Sequence, residues 1–240
     1  MIKNVIIFGG SGLIGNTLLN SDLLKEKHRL INLDIKNIGN REIYYKCDTS
    51  KKNQIEKSIR LIVKKYGQIY AIINVTYPKV LQKKNPGKID SNLFSNEISA
   101  HFKSFLNTTQ IMCNYYVKNK IKGKIINFAS IYGEYTPRFE IYKDTNLVAP
   151  LQYLLSKNSI VTMTKYFSKF YLKKKININC ISPGGIFDFQ DKKFVKNYKK
   201  FCATGMLNSN DLNGITNFLL SSNSNKIFGQ NMIIDDGFTL

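Results

Sequence analysis

Short apolar runs alternate with longer amphipathic stretches along the chain. The apolar runs are typical of buried parallel strands, and the amphipathic stretches repeat apolar residues at the spacing of helices that cover a sheet. This alternation predicts an α/β fold, in which a doubly wound parallel sheet of about seven strands carries helices on both faces. The predicted strands are Val5–Phe8, Arg29–Asp34, Ile43–Lys46, Ile69–Asn74, Lys124–Phe128, Ile176–Ile181 and Asn231–Ile234. The predicted helices are Leu13–Lys25, Lys52–Tyr66, Asp90–Asn119, Pro150–Lys173 and Asp211–Ser222.

The 240 residues suit one large α/β domain, and we expect a single domain over residues 1–240. No repeat, low-complexity linker or change of composition divides the sequence. Two segments, 134–149 and 187–208, are longer than simple connections, and each follows a predicted strand. Because ligands bind at the carboxyl edge of an open α/β sheet, we interpret both segments as substrate-loop elaborations.

Composition and apolar run length argue against a membrane protein. Hydrophobic residues make up 43%, an ordinary share for a globular core, and no run approaches the roughly 20 apolar residues that cross a bilayer. The first residues lack the pattern of a secretory signal, so we expect a cytoplasmic protein with no membrane partner. The four cysteines are scattered without metal-ligand spacing, which predicts free thiols and no metal site.

The net charge of +20 has two interpretations. A strongly basic chain is typical of nucleic-acid binders. However, the lysines occur as short pairs and triples spread along the chain, with no single basic arm and no nucleic-acid motif. We therefore interpret the charge as a solvated surface and expect no specific nucleic-acid partner. The positive field would still favour an anionic small-molecule substrate.

A glycine-rich turn joins the first predicted strand to the first predicted helix. Gly9 permits a tight turn, Gly12 lets the backbone approach a pyrophosphate, and Gly15 permits close packing of helix on strand. The amino end of the helix also offers unpaired N–H groups and a positive dipole to phosphates. Any tight strand-to-helix turn can be rich in glycine, so the motif alone is weak. We predict a dinucleotide site whose contacts come from Gly9, Ser11, Gly12, Leu13, Ile14 and Gly15.

An acidic residue, Asp34, follows this turn at the distance expected of a cofactor-binding acid. A carboxylate at the end of the second strand accepts hydrogen bonds from adenosine ribose hydroxyls and repels a 2′-phosphate. The turn and the acid together predict a Rossmann-type domain that prefers NAD. Lys36 lies close enough in the sequence to keep NADP as an alternative. Asp34 also has a structural interpretation, as a loop acid that caps the next turn.

Further motifs occur in order along the chain. Asp48 follows the third predicted strand, Asn74 ends the fourth, and the sixth runs into an Asn-x-x-x-Pro-Gly turn at 179–184. Together with the glycine turn, a Tyr-x-x-x-Lys pair and the C-terminal segment 229–237, these motifs resemble the short-chain dehydrogenase/reductase family over essentially the whole sequence. The resemblance implies a homodimer or homotetramer and places Asp48 by the adenine. It also implies a cofactor site lined by Asn74, Pro183, Gly184 and Ile186.

Two features depart from the family's usual pattern. After the fourth strand only Asn74 matches the family's Asn-Asn-Ala-Gly, which leaves the local cofactor packing open. The glycines are spaced as in the family's extended branch, whereas the length and the C-terminal segment fit its short branch. The extended branch carries a C-terminal substrate domain for which 240 residues leave no room.

The family's Tyr-x-x-x-Lys pattern occurs three times in this sequence. With 14 tyrosines and many lysines, chance matches are expected, so position must select among them. One pair follows the predicted strand Lys124–Phe128 and the Ser130 turn, early in the helix that leads to the Pro-Gly strand. The three pairs are Tyr116/Lys120, Tyr153/Lys157 and Tyr171/Lys175, and the order of elements selects Tyr153/Lys157.

The selected pair suits proton transfer coupled to hydride transfer. The four-residue spacing places Tyr153 and Lys157 on one helical face, where the ammonium should lower the tyrosine pKa from its ordinary value of about 10. Lys157 can also hold the nicotinamide ribose, and Ser130 can hydrogen-bond the substrate oxygen where charge develops. The alternative for Ser130 is a turn serine that bonds its own backbone.

A histidine replaces a family asparagine in the long helix before the catalytic strand. That asparagine usually holds a water of the proton relay, and alignment puts His101 at its position. An imidazole can orient a water or relay a proton itself, which would make His101 a catalytic residue. A lone helical histidine is also commonly packed and satisfied locally, so both interpretations stay open.

The interval from Ser130 to Tyr153 is longer than is usual for the family. The insert carries Arg138, Tyr142 and Lys143. We hypothesise a substrate-recognition loop in which Arg138 or Lys143 contacts an anionic group. A solvent-exposed loop is the equal alternative.

These observations predict an NAD(P)-dependent oxidoreductase, which prefers NAD and transfers hydride between nicotinamide and an alcohol or carbonyl. The stretch Ser130–Gly133, the long insert and the Pro183 turn resemble bacterial short-chain members associated with flagellin modification and acidic surface-sugar synthesis. That resemblance implies a carbohydrate or sugar-derivative substrate. Two alternatives stay open: a 3-oxoacyl-type short-chain reductase, and a non-catalytic NAD-binding regulatory protein.

Overall fold

The computed structural model describes residues 2–39, 43–77 and 91–240. Within these ranges seven strands form one sheet in the order β3-β2-β1-β4-β5-β6-β7, and every pairing is parallel. This topology confirms the predicted doubly wound parallel sheet. The strands are β1 (Lys3–Phe8), β2 (His28–Asp34), β3 (Tyr44–Lys46), β4 (Ile69–Asn74), β5 (Lys124–Phe128), β6 (Asn177–Pro183) and β7 (Asn231–Ile234).

Helices cover both faces of the sheet. One core joins the central strands to α3, α4 and α5, and a second core joins the opposite face to α1, α2 and α7. The helices are α1 (Leu13–Asn20), α2 (Asp22–Lys25), α3 (Lys52–Tyr66), α4 (Ser91–Lys118), α5 (Leu151–Phe170), α6 (Lys192–Lys199) and α7 (Leu212–Leu220). None of the helices in the described ranges combines the length and the apolar character that crossing a bilayer requires.

Several helix boundaries differ from the sequence predictions. The predicted helix Leu13–Lys25 is divided into α1 and α2, because Ser21 between them has extended backbone with φ −67° and ψ 113°. The predicted helix Pro150–Lys173 ends as an α-helix at Phe170 and is followed by a short 3₁₀ turn. The predicted start of α4 at Asp90 lies outside the described residues.

Helix α6 was missed by the sequence analysis, which treated 187–208 as a loop elaboration. Its amino end is capped by Asp191, whose Oδ1 accepts hydrogen bonds from the backbone N–H of Lys193 at 2.8 Å and of Phe194 at 3.1 Å. Such capping satisfies two otherwise unpaired donors of a short helix. The apolar anchors of α6 are widely separated among lysines, so its pattern is weak in the sequence.

The two elaborations pack against each other and against the C-terminal residues. We call residues 134–149, 187–208 and 235–240 together the rim lobe. Its buried centre contains Ile141, Phe194, Tyr198 and Phe238, with the rings of Tyr198 and Phe238 stacked 4.2 Å apart. Part of segment 134–149 therefore lies in an apolar core rather than in solvent.

The strand order creates a crevice at the carboxyl edge of the sheet. Strand β1 pairs with β2 on one side and with β4 on the other, so the chain connections leave β1 in opposite directions. Loops on the two sides of such a switch point separate and leave space for a ligand. The glycine turn after β1 lies at this point.

Helix α1 reaches the crevice only because Gly15 has no side chain. A Cβ at Gly15 would collide with the backbone oxygen of Gly9 and with Gly10. Gly12, in contrast, would direct a Cβ into open space, where the nearest atom of the described residues is the Gly9 oxygen at 3.5 Å. The turn is thus packed tightly at Gly15 and open at Gly12, where a phosphate would approach the amino end of α1.

We predict that Gly15→Ala lowers the free energy of unfolding by roughly 1–3 kcal/mol, because overpacking forces the helix away from the strand. Gly214→Ala is the matched control, since Gly214 also lies in a helix and its Cβ would meet nothing within 4 Å. That control should stabilise the protein by up to about 1 kcal/mol through helix propensity. Urea unfolding of both variants measures the difference, and equal stabilities would contradict the packing argument.

Candidate active site

Strand β5 and helix α5 bring the predicted catalytic residues together. Ser130 lies two residues beyond the end of β5, and Tyr153 and Lys157 lie in the first two turns of α5. Pro150 is the N-cap residue of α5, with φ −71°. Both residues on α5 therefore face the loop that follows β5.

Ser130 has both of the roles that the sequence analysis left open. Its Oγ accepts a hydrogen bond from the backbone N–H of Tyr132 at 3.2 Å, which caps a short 3₁₀ turn. The same side chain hydrogen-bonds the hydroxyl of Tyr153, an interaction that lowers the tyrosine pKa. The turn therefore fixes the hydroxyl of Ser130 beside that of Tyr153.

The pKa of Tyr153 is raised to about 12, because loss of water around the hydroxyl outweighs the hydrogen bond from Ser130. The sequence analysis expected the Lys157 ammonium to lower this pKa below its ordinary value, and that expectation is wrong for the protein alone. The Lys157 Nζ lies 5.6 Å from the centre of the Tyr153 ring and donates a hydrogen bond to the backbone oxygen of Phe128 at 3.3 Å. Tyr153 is therefore a protonated donor at neutral pH.

Lys157 is buried, with 6% of its surface exposed. Besides the Phe128 oxygen, its ammonium lies 5.7 Å from the centre of the Tyr77 ring and 5.9 Å from that of Phe105. Aromatic faces attract a cation, but they replace only part of the lost hydration. Burial consequently lowers the pKa of Lys157 to about 8.

His101 projects from α4 into the same cluster and is 1% exposed. Its ring contacts Tyr77 at 5.3 Å and Phe105 at 5.6 Å between ring centres. Burial and the nearby Lys157 ammonium together lower its pKa to about 3, although a hydrogen bond to the backbone of Thr76 raises it. Within the described part of the chain, Nε2 has no hydrogen-bond partner. Neither sequence interpretation fits fully, because the ring is packed on one side and unsatisfied on the other.

Asp34 lies at the glycine turn, as the sequence predicted. Its Oδ2 accepts a hydrogen bond from the backbone N–H of Ser11 at 3.0 Å, and its Oδ1 accepts one from Lys36 at 3.3 Å. The Ser11 Oγ donates to the Lys36 backbone oxygen at 2.6 Å. The carboxylate thus joins the turn after β1 to the loop after β2 and leaves acceptor capacity for ligand hydroxyls.

Two buried amide oxygens at this edge have no partner among the described residues, those of Asn32 and Asn74. The Asn74 amide nitrogen donates to Asn127 Oδ1 at 2.6 Å, and Asn127 in turn donates to Thr164 Oγ1 at 2.9 Å. This chain of side chains connects β4 and β5 to α5. An unsatisfied buried acceptor is costly, so these oxygens suit a ligand that supplies donors. Together with the open space above Gly12, they fit a dinucleotide in the crevice.

Hydrogen bonds and an ion pair hold the Asp48 carboxylate at the end of β3. Its Oδ1 accepts hydrogen bonds from the backbone N–H of Ser50 at 3.0 Å and from the Ser50 hydroxyl at 2.7 Å, and Lys51 lies 3.6 Å from Oδ2. The hydrogen bonds and Lys51 lower the pKa of Asp48 against a desolvation that raises it. The carboxylate therefore fixes the turn that borders the predicted adenine position.

The turn after β6 leads from the sheet to the rim lobe. Pro183 is the last residue of β6, and the backbone N–H of Gly184 donates to Ile234 at 2.8 Å. A Cβ at Gly184 would lie 2.9 Å from Asp235, so this crossing is close. Ile186 then pairs with Leu207 of the rim lobe. The residues predicted to bind the cofactor here, Pro183, Gly184 and Ile186, therefore lie where β6 ends at the border of the site.

The predicted substrate residues of the insert lie in three different environments. Arg138 Nη2 donates to the backbone oxygen of Leu240 at 3.0 Å, and its guanidinium lies 4.8 Å from the centre of the Phe201 ring. Arg138 therefore joins the insert to the C-terminal residues, which corrects its assignment to the substrate. The Tyr142 hydroxyl contacts the Tyr132 hydroxyl at 2.9 Å, and the ring of Tyr132 contacts Tyr153. Lys143 is exposed on the surface of the rim lobe.

A pocket opens beside Tyr153, between α4 and the first turn of α5. The Gln152 amide donates to Glu97 Oε2 at 2.9 Å at its outer wall. The sequence analysis missed Glu97, Gln152 and Tyr77, although Glu97 precedes His101 by one helical turn and Gln152 adjoins Tyr153. The lining residues are Tyr77, Glu97, His101, Pro150, Gln152, Tyr153 and Ser156.

Known proteins resemble this chain in sequence and in fold. A family model described as enoyl-(acyl carrier protein) reductase matches residues 15–239. The chain is 30% identical over 260 residues to post-translational flagellin modification protein A of Campylobacter coli, with 100% of each chain covered. It is 23% identical to the 3-oxoacyl-[acyl-carrier-protein] reductase FabG of Thermotoga maritima, covering 94% of this chain and 89% of that one.

A solved structure agrees with the sequence relatives. The crystal structure of a short-chain dehydrogenase from Leptospira borgpetersenii with bound NAD+ is 30% identical and superposes with a TM-score of 0.90, covering 100% of this chain and 94% of that one. A match of the family model over nearly the whole chain, with full-length relatives, identifies the fold and the class of reaction. The chain belongs to the short-chain dehydrogenase/reductase family, whose members are NAD(P)-dependent oxidoreductases.

Proposed function

We propose that this protein is an NAD-preferring dehydrogenase or reductase, which acts on a carbohydrate or sugar derivative during synthesis of a surface glycan. The observation that carries the proposal is the hydrogen bond between Ser130 and a protonated Tyr153, with the ammonium of Lys157 buried beside them. The similarity to the Campylobacter flagellin modification protein supports the sugar assignment. We further propose a homodimer or homotetramer in the cytoplasm.

Each residue of the group has a distinct part in the reaction. Tyr153 donates its hydroxyl proton to the carbonyl oxygen of the substrate, and Ser130 holds that oxygen with a second hydrogen bond. The positive charge of Lys157 stabilises the phenolate that remains on Tyr153. Nicotinamide, when bound, supplies or accepts the hydride. His101 has too low a pKa to carry a proton near pH 7, so we assign it the role of a neutral acceptor rather than a relay.

The cofactor preference rests on Asp34 and its surroundings. Ser11 N–H fixes one carboxylate oxygen at the end of β2, so the negative charge stays where ribose hydroxyls would bind. The backbone N–H and oxygen of Lys36 are hydrogen-bonded at this turn. This arrangement favours NAD and disfavours the 2′-phosphate of NADP.

A 3-oxoacyl-type reductase is the second candidate, favoured by the similarity to the Thermotoga relative. A panel of sugar carbonyls, hydroxyketones and acetoacetyl thioesters, assayed by NADH oxidation, separates the two. The non-catalytic alternative requires that no carbonyl is turned over although NADH binds. The intact group of Ser130, Tyr153 and Lys157 argues against it.

We predict that Asp34→Asn weakens NADH binding by about tenfold and removes the preference over NADPH, because the repelling charge is lost. The amide oxygen can still accept from the Ser11 N–H, whereas the amide nitrogen no longer accepts from the backbone N–H of Lys36. Asp22→Asn is the matched control, since Asp22 is exposed and paired only loosely with Lys25 at 3.9 Å. Nucleotide fluorescence titration measures both constants, and an unchanged NADH preference in Asp34→Asn would refute the assignment.

We predict that Tyr153→Phe lowers kcat by roughly 10²–10⁴-fold while NADH affinity changes by less than about twofold, because only the proton donor is lost. Tyr171→Phe removes a hydroxyl from another Tyr-x-x-x-Lys copy, and among the described residues that hydroxyl hydrogen-bonds Asn114 at 3.3 Å. That control should keep wild-type kcat. Steady-state kinetics with the best substrate of the panel test both, and full activity in Tyr153→Phe would exclude the mechanism.

We predict that kcat/KM for carbonyl reduction is level up to about pH 8 and falls about tenfold per pH unit above it. The pKa of Lys157 is lowered, so its positive charge is lost as pH rises through that value, whereas Tyr153 keeps its proton. Lys157→Arg keeps the charge and should move the decline above pH 10, at lower absolute activity. A wild-type profile that stays level to pH 10 would contradict this assignment.

A further inference from the structure

The pocket beside Tyr153 carries more acceptors than the catalytic group uses. Glu97 and His101 are four residues apart in α4, so both project from one face of that helix toward α5. Gln152 faces Glu97 from the first turn of α5. This wall stands next to the hydroxyl at which the substrate carbonyl reacts.

His101 presents a hydrogen-bond acceptor to this pocket. A hydrogen bond to the backbone of Thr76 favours the charged ring, so the ring nitrogen donates to the Thr76 oxygen. Because Nε2 has no partner in the described part of the chain, we assign the proton to Nδ1 and the lone pair to Nε2. The ring is 1% exposed, so this lone pair is buried and unsatisfied unless a ligand donates to it.

Glu97 supplies the second acceptor. A carboxylate offers about four acceptor positions, and the Gln152 amide uses one of them. The side chain is half-buried at the outer wall, where its negative charge is incompletely screened. Among the described residues that line the pocket, Glu97 and His101 are the ionisable groups beside the tyrosines, and the Lys157 ammonium lies 5.7 Å and 5.6 Å from the ring centres of Tyr77 and Tyr153.

We propose that Glu97 and His101 select the substrate by a hydrogen-bond-donating group, a hydroxyl or an ammonium, which they hold beside the carbonyl at Tyr153. This inference rests on the proposed function and narrows its substrate class to neutral or amino sugars. It replaces the anionic group expected from the net charge of +20, because a carboxylate at the wall repels an anion locally. Arg138, which was expected to bind that anion, contacts the C-terminal residues instead.

Three sugars with one ring framework test this assignment. D-glucosamine, D-glucose and D-glucuronate are titrated by calorimetry into the protein–NADH complex. Glucosamine should bind at least about tenfold more tightly than glucuronate, with glucose between them. Glucuronate binding as tightly as glucosamine, or no binding of any of the three, would overturn the proposal.

Glu97→Gln removes the negative charge of the pocket wall and leaves the basic surface unchanged, so it tests the local charge by itself. It keeps the shape and the contact with Gln152, and should reduce the preference for glucosamine over glucuronate by about tenfold while NADH affinity stays within about twofold. Glu56→Gln removes an exposed charge of α3 and should leave the preference unchanged. An unchanged preference in Glu97→Gln would overturn the role of Glu97.

His101→Phe tests the second acceptor, because it keeps a flat aromatic ring between Tyr77 and Phe105 and removes Nε2. We expect weaker binding of glucose by about tenfold with wild-type NADH affinity, and wild-type glucose binding would overturn the role of His101. The outcomes also separate the two proposals. If the wild-type protein does not bind NADH, or if Tyr153→Phe keeps full turnover, the proposed function is refuted. If the wild-type protein binds NADH but does not prefer glucosamine over glucuronate, this inference alone is refuted.

Discussion

The ammonium of Lys157 is buried beside the substrate position, and the chemistry of the site depends on how that charge is held. A backbone oxygen and three aromatic rings surround it, and no carboxylate pairs with it among the described residues. Partial compensation of this kind keeps the cation but lowers its pKa into the physiological range. The same burial keeps Tyr153 protonated and His101 neutral, so one desolvated cluster contains a donor, a cation and an acceptor.

The sheet topology explains why these groups meet. Strands β4, β5 and β6 end at one edge, and Asn74, Asn127 and Thr164 connect the first two of them to α5. Helix α5 is thereby held against the strands that carry the Ser130 turn and the crevice above the glycine turn. Cofactor and catalytic residues come from distant parts of the chain, but the parallel arrangement brings them to one side.

The positive surface and the Glu97 wall of the substrate pocket have opposite signs in this protein. The surface lysines give a strongly positive molecule, which attracts anions from a distance. The described wall of the substrate pocket presents a carboxylate and a neutral imidazole at short range. Interactions at contact distance in a partly desolvated pocket are screened much less than the surface field, so they decide which group binds.

The sequence by itself determined the elements whose signals are local. The apolar periodicity predicted the seven strands, the glycine spacing marked the turn at Gly9, and the four-residue spacing of Tyr153 and Lys157 placed them on one helical face. It did not predict the pKa of Tyr153, because that value depends on how much water the packed cluster excludes.

Tertiary structure also decided the partners of Arg138 and the pairing of Glu97 with Gln152. The first contact joins residues that are 102 positions apart in the sequence, and the second joins residues that are 55 positions apart. Short-range patterns therefore do not predict either contact. The fold class follows from patterns repeated along the chain, whereas substrate selection follows from a few side chains that only long-range packing brings together.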